Sequence, residues 1–400
     1  KAHFPAAFMA AVMSADLDNT DRLVTLKDDC RKQGLRINPP SVNRSSYAFS
    51  VADERAIQYG LGAIKGVGRS VVEAVIAERE AKGPYSELAE FCRRVQHDKI
   101  NRRAVEAMVK AGAMSDFAMS RRALIEQVPE ALASADQVAR AAAAGQNDMF
   151  GLEQIESPVA TSPKAVNMPE WPEQEFLRNE KEALGLYLTG HPFNAVRADA
   201  MAFVDGKLAD LLAEPPPESA RGEKSYAQAQ REVTVAGLVA EIRKRGNRVS
   251  VVLDDDSGRM EVSLFSEAFQ EFRHLLVKDE IVVVSGGLRY DDFLSNWTVN
   301  AKQVSHIDRV IESRAQGIVL QLKPNGQGEA LLVKLHDVLL PYREGRCDVS
   351  VVYTGESASA RLNLGPEWSV RPSRELRDQL SELLGSKNVR MLYAPGREIR

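Results

Sequence analysis

Two apolar segments surround a Gly-x-Gly turn in the stretch Leu61-Gly62-Ala63-Ile64-Lys65-Gly66-Val67-Gly68, followed by Arg69-Ser70-Val71-Val72-Glu73-Ala74-Val75-Ile76. This pattern predicts a short helix, a tight hairpin and a second amphipathic helix, because glycine permits a turn that a Cβ would obstruct. The second helix would begin directly after Gly68, so its unpaired N–H groups and the positive end of its dipole would face the hairpin. Such a helix-hairpin-helix suits a phosphate.

The charges around this hairpin favour a nucleic-acid backbone as its ligand. Residues 61–125 contain 12 Lys and Arg against 8 Asp and Glu, a net charge of +4, within a chain whose net charge is -4. Phosphate contacts position a protein on DNA without reading the bases. We predict DNA-backbone binding by Lys65, Gly66, Val67, Gly68 and Arg69; the alternative is a plain helical hairpin whose turn requires two glycines.

A second basic helix is predicted over residues 99–114. Arg102 and Arg103 lie at its start and Lys110 near its end. It could complete a second, degenerate hairpin in which Arg102 and Arg103 contact phosphate. The alternative, a solvated helix face, fits equally well.

Composition places the chain among globular proteins of two to four domains, with 400 residues and 44% hydrophobic residues. Three distant cysteines, Cys30, Cys92 and Cys347, do not suggest a disulfide framework or a zinc site. No segment has the length of a membrane span or the pattern of a signal peptide, so we expect a cytoplasmic protein. The chain begins at Lys1 inside a predicted helix, and we therefore expect a piece of a longer protein.

Helices are predicted over residues 4–34, where Asn19 or Thr20 would cap the second of two, and over 121–145. Residues 146–175 contain four prolines and little periodicity, which is typical of an exposed connector. A further helical segment over 173–190 ends in a Gly and Pro stop signal.

After residue 231 the sequence pattern changes from helices to strands. Strands are predicted over 233–239, 248–253, 259–265, 280–288 and 297–301, with a helix over 267–276. Five strands with a helix between the third and the fourth have the order of an OB-fold barrel. Residues 315–400 alternate strands and helices up to a helix capped by Ser373 and a short tail. The predicted class is therefore multidomain α+β, with a helical helix-hairpin-helix domain, a five-stranded OB-fold β-barrel and a small C-terminal α/β domain.

Several motifs, in one order along nearly the whole chain, resemble the C-terminal part of the bacterial replicative DNA polymerase III α subunits, the C-family DNA polymerases. They are Tyr59 to Gly68, Asn101-Arg102-Arg103, Gly185-Leu186-Tyr187-Leu188-Thr189-Gly190-His191-Pro192, Lys244 to Arg248, and Leu253-Asp254-Asp255. The resemblance implies five regions: the end of the fingers (1–55), a tandem helix-hairpin-helix domain that grips duplex DNA (56–145), a connector with a clamp-binding motif (146–230), an OB-fold (231–308), and a domain that binds the τ subunit of the clamp loader (309–400).

The resemblance also implies specific partner sites. The pentapeptide Gln146-Asn147-Asp148-Met149-Phe150 resembles the segment that binds the β sliding clamp, and a Met-Phe pair on an extended connector suits an apolar pocket. The OB-fold would bind the single-stranded template with basic and aromatic side chains: Arg243, Lys244, Arg245, Arg248, Tyr290 and Phe293. Trp297 could equally belong to the core, and residues 231–307 carry 10 Lys and Arg against 12 Asp and Glu.

The parent enzyme implied by the resemblance is a DNA-directed DNA polymerase, a nucleotidyltransferase whose palm carboxylates hold Mg²⁺. Those carboxylates would lie before Lys1, so we expect no catalytic residue, cofactor or metal site in this chain and no polymerase activity from it alone. Asp16, Asp18 and Asp21 do not follow a Ca²⁺-loop pattern and suit a helix cap better. The alternative function is a non-enzymatic DNA-binding scaffold built from the same modules; a ligase would require an adenylation lysine motif, and none is seen.

Overall fold

A computed structural model of the chain describes residues 1–95, 100–143, 168–216, 231–246, 248–292, 295–322, 328–355 and 359–393. These residues form two compact units, Lys1–His191 and Pro192–Arg400. The first unit is mainly helical. The second unit contains a closed β-barrel and a four-stranded mixed sheet. The predicted multidomain α+β class is confirmed.

The first unit opens with helices α1 (Pro5–Ala15) and α2 (Thr20–Lys32) and a small sheet of β1 (Arg36–Asn38), β2 (Ser50–Asp53) and β3 (Ala56–Gln58). The Asn19 side chain accepts a hydrogen bond from the Arg22 N–H at 3.1 Å, which confirms one of the two predicted caps of α2. Strand β3 pairs in parallel with β1 and antiparallel with β2. This pairing crosses the boundary predicted at residue 55.

The remaining helices of the first unit share one hydrophobic core with α1, α2 and the small sheet. The core runs from Ala6 to Leu186, and its largest fully buried side chains include Tyr59 and Phe91. A helix within the predicted connector also belongs to it, since Ala183 and Leu184 are buried there. These later helices are α3 (Arg69–Lys82), α4 (Leu88–Arg94), α5 (Arg102–Lys110), α6 (Arg121–Ala143) and α7 (Glu173–Leu184).

The second unit contains the predicted barrel. Its strands follow the order β4-β5-β6-β8-β7, in which β6 and β8 pair in parallel and every other neighbouring pair is antiparallel. Alternate side chains of β5 and β6, such as Val251 and Val262, fill the interior. The elements are β4 (Arg231–Arg245), β5 (Arg248–Asp254), β6 (Arg259–Phe265), α10 (Ser266–Phe272), β7 (Ile281–Asp291) and β8 (Asn296–His306). The predicted OB-fold order is confirmed.

Two short helices, α8 (Arg197–Ala200) and α9 (Leu208–Leu212), precede the barrel in the chain and pack against it. The turn Asp254–Asp256 holds α9 in place. The buried Asp255 carboxylate accepts hydrogen bonds from the Leu208 N–H at 3.0 Å and from the Ser257 and Gly258 N–H groups. These aspartates therefore form a turn that also anchors α9.

The C-terminal part of the second unit is a sheet in the order β11-β10-β9-β12 with helices against it. The predicted cap is present, because Ser373 Oγ accepts a hydrogen bond from the Leu376 N–H at 3.2 Å. The predicted short tail is instead a strand, β12, which pairs with β9. The elements are α11 (Ile307–Arg314), β9 (Ala315–Leu322), α12 (Gly328–Leu339), β10 (Arg343–Thr354), β11 (Ser359–Asn363), α13 (Arg374–Leu384) and β12 (Val389–Tyr393).

Candidate nucleic-acid interface

The predicted hairpin has a shorter first helix than the sequence indicated. Leu61–Ala63 is a single 3-10 turn, because the N–H groups of Leu61 and Gly62 donate to the carbonyls of Ser46 and Tyr47, each at 2.9 Å, instead of to a preceding helical turn. The backbone approaches the Tyr47 ring so closely that a Cβ on Gly62 would lie 2.7 Å from it. The glycine therefore permits this close packing of the 3-10 turn on Tyr47.

Gly66 and Gly68 make the turn and leave the start of α3 open. Gly66 has φ +80°, a conformation that favours glycine, whereas Gly68 is extended with φ -73° and ψ 154°. No described atom lies within 4 Å of a Cβ built at either position. Gly68 is the N-cap of α3 and has no side chain to accept from the first helical N–H groups. The Val71 N–H donates to the Gly68 carbonyl at 3.1 Å, and no side chain caps the first turn. A helix start without a side-chain cap is the arrangement that binds anions.

The side chains around the turn combine an apolar anchor with exposed positive charge. Val67 is buried in the core, while Lys65 and Arg69 are exposed. The Arg69 guanidinium carbon lies 4.6 Å from the centre of the Tyr47 ring, and its Nε lies 3.7 Å from a Glu73 carboxylate oxygen. The structure thus brings together all five predicted residues of this hairpin.

Helix α7 supports the hairpin from the other side. The Lys65 N–H donates to the Ala183 carbonyl at 2.8 Å, and the Lys65 ammonium lies against Gly185 at the end of α7. Gly185 has φ +78°, and a Cβ there would lie 2.3 Å from a Thr20 methyl group. Only glycine fits both the left-handed conformation and the available space.

Glu180 organises the motif that follows α7, and sequence analysis did not identify it. Its fully buried carboxylate accepts hydrogen bonds from the Leu188 N–H at 2.7 Å, from the Thr189 N–H at 3.0 Å and from the Thr189 hydroxyl at 2.8 Å. Arg121, also buried, lies 3.9 Å from it. Burial lowers the pKa of Arg121, and the charge of Glu180 opposes that shift. A lone glutamate in an amphipathic helix gives no sequence signal for this role.

The start of α5 differs from the start of α3. The Asn101 side chain accepts a hydrogen bond from the Ala104 N–H at 2.9 Å, so this helix already has an N-cap. Arg102 Nε donates to Glu106 at 2.6 Å, and Arg103 is exposed. The turn between α4 and α5 includes residues 96–99, which lie outside the described part of the chain.

The basic segment lies between the strands predicted over 233–239 and 248–253, where we expected a loop, and the structure instead extends both strands into a β-hairpin. Strand β4 continues to Arg245 and β5 begins at Arg248, and the two residues are paired in register. Backbone pairing therefore continues almost to the turn. Lys244 is exposed, whereas Arg243 donates two hydrogen bonds of 2.6 Å to Glu241, which lower the pKa of that carboxyl.

Of the aromatic candidates, Tyr290 and Trp297 are partly buried and meet edge to face at 5.5 Å. The Trp297 indole N–H donates to the Glu214 carbonyl at 2.9 Å, and its ring packs on the barrel core. Trp297 is therefore a structural residue, one of the two possibilities that the sequence left open. Phe293 and the pentapeptide Gln146–Phe150 lie outside the described residues.

Within the described ranges, no group of three or more His, Cys, Asp and Glu side chains could hold a metal ion. No helix among those residues is long and apolar enough to cross a membrane. Cys30, Cys92 and Cys347 are buried free thiols, and burial raises their pKa values, to about 11 for Cys30 and Cys347 and to about 12 for Cys92.

Comparison with known families matches three regions of the chain. A helix-hairpin-helix motif profile matches residues 34–124, and a profile described as an OB-fold nucleic acid binding domain matches 233–307. A third profile, for the C-terminal domain of DNA polymerase III subunit alpha, matches 334–385. Among solved structures, the asparaginyl-tRNA synthetase of Pyrococcus horikoshii aligns with 20% of this chain and 20% of its own, at 19% identity and a TM-score of 0.18.

Curated relatives match almost the entire chain. The DNA polymerase III subunit alpha of Escherichia coli K12 is 42% identical over 98% of this chain, that of Vibrio cholerae is 39% identical over 98%, and that of Xylella fastidiosa Temecula1 is 37% identical over 99%. The chain spans about a third of the length of these relatives, 33% of the first two and 34% of the third. Together with the C-terminal profile match, this similarity shows that the chain belongs to the family of DNA polymerase III α subunits and corresponds to their C-terminal region.

Proposed function

We propose that this chain is the DNA-binding and partner-binding region of a replicative DNA-directed DNA polymerase in the cytoplasm. The observation that supports it most is the match to polymerase α subunits at 42% identity over 98% of the chain, together with an uncapped helix start at Gly68 flanked by Lys65 and Arg69. In this proposal the hairpin 65–69 holds the backbone of duplex DNA. Arg102 and Arg103 add a second, weaker backbone contact.

The barrel would bind the single-stranded template ahead of the primer end. Arg243, Lys244, Arg245 and Arg248 lie on one β-hairpin of an OB-fold, and this part of the fold is a common binding surface for single strands. Tyr290 is a partly buried ring near the end of β7, paired with Trp297, and Phe293 follows it in sequence. The two sites would together bind a primed template at its duplex and its single-stranded parts.

Two protein partners complete the proposal. Gln146–Phe150 would bind the β sliding clamp, and residues 309–400 would bind the τ subunit of the clamp loader; family resemblance supports both. The addition of nucleotides, with its two Mg²⁺ ions, would be performed by a palm domain outside this chain, so the chain alone would not polymerise.

Binding to the cognate sliding clamp, measured with the full 400-residue chain, tests this proposal. Met149→Ala/Phe150→Ala should abolish binding, since apolar and aromatic anchors dominate such interfaces. Pro158→Ala/Val159→Ala, on the same predicted connector, is the matched control and should bind like the unchanged chain. A chain that binds primed DNA but not the clamp would favour the non-enzymatic scaffold instead.

A further inference from the structure

Phe265, the last residue of β6, is the most exposed large apolar side chain among the described residues of the barrel, with 62% of its surface accessible. The interior of the barrel takes the alternate residues Met260, Val262 and Leu264. Because side chains of a strand alternate between faces, Phe265 lies on the outer face. An aromatic ring here contributes nothing to the barrel core, and its exposure to water is unfavourable.

One arginine lies beside the ring. Arg248 is the register partner of Phe265, and cross-strand partners share one face of a sheet. The Arg248 guanidinium carbon lies 5.8 Å from the ring centre, within the range of a cation–π interaction. The ring nevertheless keeps more than half of its exposure, so a second planar group has room against it.

The neighbouring row on the same face continues this surface. Arg243 pairs in register with Ser250, and Ser250 with Ser263, two residues before Phe265. Ser263 is buried, so the accessible part of this row is Arg243 and the partly buried Ser250. A strand of nucleic acid crossing β4 and β5 would therefore meet Arg243, Ser250 and Arg248 beside one exposed ring. Cations that follow the backbone and a ring that stacks a base are the two components of single-strand binding without sequence preference.

We propose that Phe265 stacks on an unpaired base of single-stranded DNA, with Arg248 holding the adjacent phosphate or the far side of the base. This inference rests on the proposed single-strand function of the barrel and adds to it a residue that sequence analysis did not select. A base inside a duplex is already stacked on both faces, so Phe265 discriminates unpaired from paired DNA. Every base has a π-face, so the contact is tolerant of sequence.

The test compares two oligomers of equal length and charge, about 16 nucleotides each: fluorescein-labelled oligo-dT, and an oligomer whose central sugars carry no base. The unchanged chain should prefer oligo-dT by roughly 5- to 150-fold, the equivalent of about 1–3 kcal/mol for one stacked base. Phe265→Ala should lose most of this preference and keep its affinity for the abasic oligomer. Phe265→Trp should retain the preference, and its added fluorescence should be quenched by oligo-dT.

Leu362→Ala is the matched control, because Leu362 is 58% exposed on β11, outside the barrel. It should behave like the unchanged chain. An undiminished preference for oligo-dT in Phe265→Ala would overturn the stacking role while leaving the proposed function intact. Failure of the unchanged chain to bind either oligomer would overturn the single-strand function of the barrel itself, and the stacking role with it.

Discussion

Helices α3 and α5 both begin with basic residues, but their N-termini are chemically different. Helix α3 follows Gly68, which has no side chain, and the space around it is open among the described atoms. Helix α5 follows Asn101, whose side chain already accepts from the Ala104 N–H. A capped helix start has less to offer to a phosphate, because part of its hydrogen-bonding capacity is used.

The basic side chains at the two helix starts also differ in how closely each is paired with a carboxylate. Arg102 is held by Glu106 at 2.6 Å, whereas Arg69 lies 3.7 Å from Glu73, with both of those side chains about two-thirds exposed. The two basic helix starts thus differ in how many of their backbone and arginine N–H donors are already hydrogen-bonded within the protein. We expect α3 to bind DNA and α5 to serve mainly the fold.

The largest effect is expected from a carboxylate placed at the start of α3. Gly68→Asp should weaken binding to duplex DNA by roughly tenfold or more, since like charges placed together cost several kcal/mol. The fold should tolerate it, because the extended backbone at Gly68 suits any residue and Asp is a good N-cap, worth a few tenths of a kcal/mol over glycine. Fluorescence anisotropy and thermal melting measure the two effects.

Asn101→Asp is the matched variant for this experiment. It places the same charge at the start of α5, where we expect less than a threefold change in DNA affinity. Equal losses for the two variants would mean that both helix starts contact phosphate and that the difference in capping has no functional meaning.

The next effect is on the salt dependence of DNA binding. Each phosphate contact that is lost should reduce the slope of log K against log salt by about 0.9. Lys65→Gln/Arg69→Gln should therefore lower the slope by about 1.8, and Arg102→Gln/Arg103→Gln by less than about 0.9. Titrations at several salt concentrations give both slopes. A larger reduction of the slope from the Arg102 and Arg103 pair would mean that α5, not α3, makes the main contact with DNA.

A smaller effect is expected on the local stability of α5, without a matching effect on DNA affinity. Asn101→Ala should reduce the local stability of α5 by about 1 kcal/mol, the usual loss for an N-cap side chain, with DNA affinity nearly unchanged. Gly68→Ala should leave the start of α3 about as stable as before, since no side-chain cap is lost there. Amide hydrogen exchange of Ala104 and Val105 reports on α5. Unchanged exchange in Asn101→Ala would show that the cap contributes little.

Local chemistry explains why sequence could predict the hairpin and the barrel. Gly66 and Gly68 mark a turn by themselves, and the alternation in β5 and β6 identifies the buried face without any tertiary information. The same alternation places Phe265 outside, so the signal for that ring was present in the sequence.

Long-range contacts explain what sequence could not predict. Tyr47 packs against Gly62, and Glu180 accepts hydrogen bonds from the N–H and hydroxyl of Thr189. No local sequence pattern indicates either contact. The short first helix of the hairpin has the same origin, because its N–H groups donate to the carbonyls of residues 46 and 47. Strand β12 depends on a partner, β9, that lies about seventy residues earlier in the chain.

The smallest effect concerns helix α4, which precedes α5. Its N-cap residue, Glu87, makes no side-chain cap hydrogen bond. Instead, Glu90 accepts hydrogen bonds from both the N–H and the hydroxyl of Ser86. Those two bonds, and then Arg94, lower the pKa of Glu90 from 4.5 to about 2. A depressed pKa in the folded state means that the charged carboxylate stabilises the fold above the unfolded pKa, and that this stabilisation is lost as pH falls through about 2.

Glu90→Gln should therefore lower the free energy of unfolding at neutral pH, by about 1 kcal/mol or less for a carboxylate that is a quarter exposed and partly screened. The difference from the unchanged chain should shrink as pH falls from about 4.5 to about 2. Urea denaturation across this range measures it. Glu87→Gln is the control, because Glu87 is half exposed and lies 3.5 Å from Arg93, and it should have little effect at any pH. A Glu90→Gln difference that stays constant down to pH 2 would mean that the hydrogen bonds between Ser86 and Glu90 stabilise the start of α4 whether or not Glu90 is charged. The start of α4 would then depend on neutral hydrogen bonds, as the Asn101 cap of α5 does.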